Sequence, residues 1–204
     1  MSDYHFYQPK EGHNLKHDPF NGIIAPRPIG WISTLGQDGN ANLAPYSFFN
    51  AFNYSPPLIG FSSIGYKDTV RNAEQTGEFC WNLVSQSLAQ AMNLTSQAAP
   101  IDVDEFELAQ LAKGNSRMIK PPYVLHSPVV MECKTSQIIQ LRAADGSHCD
   151  TWLVMGEVVG VHIANQTLRD GVYQTTLAQP VLRGGGAGDY FTLSEQQKFV
   201  MKRP

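Results

Sequence analysis

The stretch Pro28 to Asn50, PIGWISTLGQDGNANLAPYSFFN, decides the fold. PIGWIST (28–34) reads as a β-strand. LGQDGNAN (35–42) follows, with Gly36, Asp38-Gly39 and Asn40, residue types that accept the backbone conformations of a tight hairpin. NLAPYSFFN (42–50) resists a simple assignment. Tyr46, Phe48 and Phe49 suit a core, whereas two Asn, a Pro and a Ser are poor residues for a plain buried strand. Apolar rings and short hydrogen-bonding side chains are interleaved here more closely than packing alone requires.

Working outward, YSPP (54–57) is a break and LIGFSSI (58–64) a second strand, apolar enough at its start to be buried on both faces. KDTVRNAEQTGE (67–78) reads as a short helix. Asp68 or Thr69 is the expected cap, Val70 and Ala73 share a face, and Gly77 sits where a helix stops. FCWNLV (79–84) returns as a strand. SLAQAMNLTSQ (87–97) and DEFELAQLAKG (104–114) read as helices, the second with acids in its first turn and Lys113-Gly114 at its end. After Pro121-Pro122 the chain turns β-rich. PVVMECKTSQIIQLRAA (128–144) holds one long or two short strands, DGSHCD (145–150) turns, and TWLVMGEVVGVHIA (151–164) is a long strand with Gly156 and Gly160 as bulge points. Residues 1–20 form an N-terminal arm, and 192–204 a C-terminal tail.

The expected architecture is mainly β, or α+β: an antiparallel barrel with inserted helices, in one domain spanning 1–204. No internal repeat and no dividing linker is present, and strand–helix alternation is not sustained enough for a doubly wound parallel sheet.

Composition narrows the partners. The 204 residues carry 15 basic and 18 acidic side chains, a formal net charge of −3, without a dense basic stripe, which argues against nucleic acid. No apolar run approaches the roughly 18 residues of a membrane span. The N-terminus lacks a charged-then-apolar signal pattern, and Cys80, Cys133 and Cys149 are odd in number and widely spaced. A cytoplasmic protein is expected.

Several chemistries fit poorly. His13 and His17 are four apart but run into a proline, and no HExxH or CxxC pairing exists, so no metal site is expected. GFSSIG (60–65) misses the G-x-S-x-G elbow because Ile64 stands where Gly is needed. GGGAG (184–188) is followed by Asp189 and is not a dinucleotide fingerprint. SSIGYKDT (62–69) is more telling, since it ends a strand and opens a helix. The amides of a helix start are unpaired and partly positive, so a cation beside them, Lys67, is unfavourable unless an anion joins it. An anion there would gather Lys67, the hydroxyls of Ser62, Ser63 and Thr69, and free amides. The bland reading has Asp68 capping the helix and Lys67 in water.

PRPIGWISTLGQDGNANLAPYSFFNAFNYSPPLIGFSS, KDTVRNAEQTGEFCWNLV and the closing GGGAGDYF, taken together, resemble the flavin reductase-like proteins that bind FMN in a split β-barrel. The resemblance runs from about residue 20 to 192. It implies a homodimer of Greek-key split barrels, with one FMN at each edge of the subunit interface. It places Ser33, Thr34, Asn42, Leu43 and Ala44 near the ring and ribityl chain, and Asn42, Leu43 and Ala44 as turn residues. Ser47, Phe48 and Asn50 fall along the isoalloxazine, and Ser62, Ser63, Lys67 and Thr69 form the phosphate grip. Tyr190 and Phe191 cover the ring from the same or the partner subunit.

An isoalloxazine needs flat apolar contact on its faces and hydrogen bonds at its polar edge. Phe48 or Trp31 could give the first, and Asn50 and backbone amides near Pro45 the second, although a core role suits Trp31 better. Arg27 either reaches the flavin or phosphate or is a surface residue held extended by Pro28. The implied activity is NAD(P)H-dependent flavin reduction, with hydride passing from NADH or NADPH to flavin N5 and a flavin-dependent oxygenase as an acceptor of the reduced flavin. Because the cofactor carries the chemistry, no catalytic side chain is singled out. His126, His148 and His162 are candidate proton donors, each more often structural. The alternative is an FMN-binding electron-transfer or non-enzymatic flavoprotein without nicotinamide turnover. A barrel that has lost its cofactor is disfavoured by the intact set Ser62, Ser63, Lys67 and Thr69.

Overall fold

A computed structural model describes residues 3–100 and 103–202. The first two residues of the expected arm and the last two of the expected tail lie outside the described residues. In chain order the elements are α1 (Phe20–Ile23), β1 (Arg27–Pro28), β2 (Gly30–Leu35), β3 (Ala41–Tyr46), β4 (Phe49–Asn53), β5 (Leu58–Ile64), α2 (Asp68–Thr76) and β6 (Glu78–Asn82). Next come α3 (Ala89–Leu94), α4 (Glu105–Leu108), β7 (Lys113–Gly114), β8 (Tyr123–Val124), β9 (Val129–Arg142) and β10 (His148–Ile163). The chain closes with β11 (Leu168–Arg169), β12 (Val172–Tyr173), β13 (Val181–Arg183) and β14 (Tyr190–Thr192).

The main sheet has seven strands in the order β3-β2-β6-β9-β10-β5-β4, every pairing antiparallel. Its two edges, β3 and β4, are consecutive in the chain and joined only by Ser47 and Phe48. A flat sheet of this size would hold its edges about 29 Å apart, at ~4.8 Å per strand. Three Cα–Cα steps reach only about 11 Å. The sheet must therefore curl until its edges nearly meet, which makes it a split barrel. The expected antiparallel split barrel with inserted helices is the observed fold.

Alternation along the strands separates two cores. Ile32, Tyr46, Ile59, Phe61, Phe79, Cys133 and Val154 fill the inside of the curl, with Val70 and Ala73 of α2 packed against them. Trp31, Leu43, Met92, Phe106, Val124 and Val181 form the second core, which brings α3, α4 and β13 onto the outer face of β2 and β3. Trp31 is fully buried there, and its indole N–H donates to Thr95 Oγ1 at 2.9 Å. It is a core residue.

Local chemistry explains most boundaries. The β2–β3 hairpin closes as Gly36 N–H donates to Asn40 O at 2.8 Å, with Gly39 at φ +86°. The β9–β10 pairing slips at Met155/Gly156 and Val158/Gly160, the bulges expected at those glycines. A Cβ at Gly156 would meet the Phe79 ring at 2.5 Å, so the barrel interior also demands glycine there. Gly77 ends α2 at φ +73° in open space. Gly77→Ala should thus cost about 1–2 kcal/mol from left-handed backbone strain alone, read as a lower urea midpoint with an unchanged m-value.

The helices depart from expectation in three places. Lys67, not Asp68 or Thr69, occupies the N-cap of α2, and no side chain caps it. Asp68 pairs instead with Arg71 at 2.5 Å, and Thr69 Oγ1 accepts from Asn42. The helix expected over 104–114 stops at Leu108. Gln110 adopts φ +54°, and Leu111 N–H folds back to Phe106 O at 2.7 Å, because the chain must turn here to enter β7. The helix expected over 87–97 opens with a 3-10 turn at Gln86–Leu88 before α3 begins.

A strap at 115–122 is fastened across the barrel by Glu132. This fully buried carboxylate accepts from Arg117 N–H (2.9 and 3.1 Å), Met118 N–H (2.6 Å) and His162 Nε2 (2.5 Å). Burial pushes its pKa up, but these donors outweigh burial and leave it lowered. A carboxylate lowered on folding stabilises the fold above its unfolded value, near 4.3, and that stabilisation is lost as pH falls through the folded value. Glu132→Gln should therefore cost about 1–3 kcal/mol at pH 7. The gap to the wild type should shrink in urea titrations below about pH 4; a gap independent of pH would refute the charged strap.

Candidate functional site

A cleft of about 360 Å³ opens where three segments meet: the edge strand β3, the start of α2, and the loop that follows α3. Its walls are Asn42, Ala44, Pro45 and Tyr46 from β3, Lys67, Asp68 and Thr69 from α2, residues 95–99, and Glu105 at the head of α4. The volume lies at the low end of the range for small-molecule sites.

Hydrogen bonds fix the floor. Asn42 Nδ2 donates to Thr69 Oγ1 at 2.8 Å and to Thr34 Oγ1 at 3.2 Å, and Asn72 Nδ2 donates to the same Thr34 oxygen at 3.2 Å. Tyr46 is buried beside Thr69 and Ser63. Burial raises the pKa of its hydroxyl, and the Thr69 and Ser63 side chains oppose the rise. Glu105 Oε2 accepts from Leu43 N–H at 2.9 Å. Burial also raises the Glu105 pKa, with that same bond opposing it, so Glu105 favours folding most in its protonated form, and its contribution is lost as pH rises through the raised value.

The charges suit an anion at one end. Lys67 is exposed and caps the start of a nine-residue helix, and its ammonium makes no ion pair or hydrogen bond among the described residues. The first-turn amides receive no side-chain cap. Of the two acids in the walls, Asp68 is matched by Arg71 and Glu105 is anchored on an amide. A phosphate here would meet one unpaired cation and a helix start, which is the donor set such a group needs.

Asn42, Ala44, Lys67 and Thr69 thus come together in the cleft. Asn42, Leu43 and Ala44 prove to be strand residues rather than turn residues. Leu43 is fully buried behind the cleft, and Thr34 lies under its floor. Ser33 is buried on the outer face of β2, donating to Pro122 O at 2.6 Å. Ser63 Oγ donates to Gly65 O at 2.9 Å, while Ser62 is half-buried on β5, its N–H bonded to Phe48 O.

Ser47 and Phe48 form the link between the sheet edges, and Asn50 is exposed on β4, its side-chain oxygen accepting from Ala51 N–H. Tyr190 and Phe191 stand on β14, with the Arg183 guanidinium 4.9 Å from the Tyr190 ring centre. Arg27 is spent on backbone carbonyls of Asn21, Ile24, Ser47 and Gly184 and lies over the Phe48 ring, so it ties the α1 turn, the link and the glycine run together. His126, His148 and His162 do not line the cleft.

Sequence reasoning missed Pro45 as a wall, the loop 95–99 and Glu105. The polar run Thr95-Ser96-Gln97 after an apolar helix was the available signal; Glu105 gave none, since it looked like any first-turn acid.

The flavin reductase like domain family matches residues 24–180. The structure of nitrilotriacetate monooxygenase component B from Bacillus cereus superposes with a TM-score of 0.86 at 32% identity, covering 98% of this chain and 100% of that one. The Pseudomonas fluorescens 2-nitrobenzoate 2-nitroreductase NbaA gives 0.79 at 27% identity over 91% of this chain and 88% of that one. A Shewanella frigidimarina protein described as a flavin reductase with a split barrel domain gives 0.78 at 25% identity over 90% of each chain.

Proposed function

The chain belongs to the flavin reductase like domain family, and on that premise we propose that it binds FMN in the cleft between β3, α2 and the loop 95–99 and acts as an NAD(P)H-dependent flavin oxidoreductase. The observation that carries this reading is Lys67, an unpaired cation at an uncapped helix start. Lys67, the first-turn amides of α2 and the Thr69 hydroxyl would hold the phosphate. Ala44, Pro45 and the loop 95–99 would flank the rest of the molecule and exclude water from it. FMN held by these residues would supply the redox chemistry, with NADH or NADPH as the hydride donor.

Of the remaining site residues, the buried Ser33, Thr34, Leu43 and Ser63 would support the cleft from behind, and Ser47, Phe48, Asn50, Ser62, Tyr190 and Phe191 would reach the flavin from the rim or from a second copy of the chain. Exposed Phe52, Tyr54, Ile64 and Ile139 support a homodimer that covers them. The Bacillus cereus relative is by name one component of a monooxygenase, which supports delivery of reduced flavin to an oxygenase. Three unpaired cysteines support a reducing compartment, the cytoplasm.

The test is spectroscopic. FMN added to the purified protein should bind at micromolar concentration, and anaerobic NADH or NADPH should then bleach the flavin band. Absence of binding refutes the reading. Binding without bleaching leaves an electron-transfer flavoprotein in its place.

A further inference from the structure

The edge of β3 has a hydrogen-bonding polarity that no part of the family match assigns. In an antiparallel ladder, alternate residues turn both backbone groups toward the neighbouring strand, and the others turn both away. Among the described residues β3 pairs only with β2, in the register Ile32↔Ala44 and Ser33↔Leu43. Leu43 N–H bonds to Glu105 and not to β2, so Leu43 and Pro45 face the free edge while Asn42, Ala44 and Tyr46 face β2. The proline independently supports this parity, since a residue without N–H belongs at a free-edge position.

Two consequences follow at the cleft. Pro45 brings a carbonyl but no donor. Leu43 would bring the one N–H on this part of the edge, and Glu105 has taken it. Within β3, then, the free-edge positions Leu43 and Pro45 offer a ligand carbonyl oxygens and no free N–H.

We propose that Glu105 is a specificity-determining positioning residue: by covering the Leu43 amide it makes the β3 edge of the cleft acceptor-only, so that the flavin is selected there through a donor, its imide N3–H on the Pro45 carbonyl. This rests on the FMN reading above. It predicts a ligand class with an anion at one end, for Lys67, and an in-plane N–H at the other.

The experiment is a fluorescence titration of the full-length wild-type protein with FMN and with N3-methyl-FMN, which keeps the phosphate and loses the donor. N3-methyl-FMN should bind about tenfold or more weakly. Glu105→Gln keeps an acceptor for Leu43 N–H and should keep the discrimination, whereas Glu105→Ala uncovers the amide and should reduce it. Equal binding of the two flavins by the wild type overturns the inference and leaves the FMN reading intact. Failure of both flavins to bind overturns that reading and the inference with it. Loss of discrimination in Glu105→Gln as great as in Glu105→Ala would show that the charge, not the covered amide, matters.

Discussion

Lys67→Ala should weaken FMN binding about 10- to 150-fold, which corresponds to the 1.5–3 kcal/mol of a hydrogen bond to a charged group. Riboflavin, which lacks the phosphate, should bind the variant and the wild type almost equally. The contrast separates a phosphate grip from general damage to the cleft. Lys67 is exposed and unpaired, so its truncation opens no cavity and strands no buried partner. Equal losses for both ligands in parallel titrations would remove Lys67 from the phosphate site. Raising the salt should also erode the wild-type advantage, because the site is open to solvent.

Phe61→Ala should lower stability by about 3–5 kcal/mol, the cost of emptying a large aromatic site in a packed core. Phe61 is fully buried inside the curl, tilted against Tyr46 at 4.7 Å between ring centres and edge-on to Phe79 at 5.6 Å. It also faces Phe49 across β4 and Val154 across β10 in the ladder, so it spans the part of the sheet that closes the barrel. For a chain of this length that loss lowers the melting temperature by about 6–20 °C. Calorimetry on the variant decides the matter: a shift of a degree or two would mean that the interior closes readily around the gap.

Both predictions draw on features visible at different levels. The sequence placed Lys67 at a strand-to-helix junction, and the structure made it an N-cap with no side-chain cap. Phe61 was legible only as a strand residue buried on both faces; its role at the seam depends on which strands flank β5. Arg27 shows the same limit. Its neighbour Pro28 said that it lies in extended chain, but its carbonyl partners range from Ile24, three residues away, to Gly184, 157 residues away, and only folding gathers them.

What the sequence determined by itself is whatever depends on a few neighbouring residues. The hairpin at Gly36 to Asn40, the stop at Gly77, the bulges at Gly156 and Gly160 and the shared face of Val70 and Ala73 all follow from backbone freedom and periodicity, which act over one or two turns of chain. The order of those pieces also implied an antiparallel barrel with inserted helices, and the family resemblance made it a split barrel. Tertiary structure alone decided the composition of the cleft. Glu105 reaches Leu43 across 62 residues, and the loop 95–99 closes a wall that α2 and β3 begin. Those pairings are set by the curl of the sheet and by the second core beneath α3 and α4, where burial of apolar area from distant segments outweighs any local preference. The truncation of the helix at 104–114 has the same origin: its sequence favours a longer helix, and the need to turn into β7 ends it at Leu108.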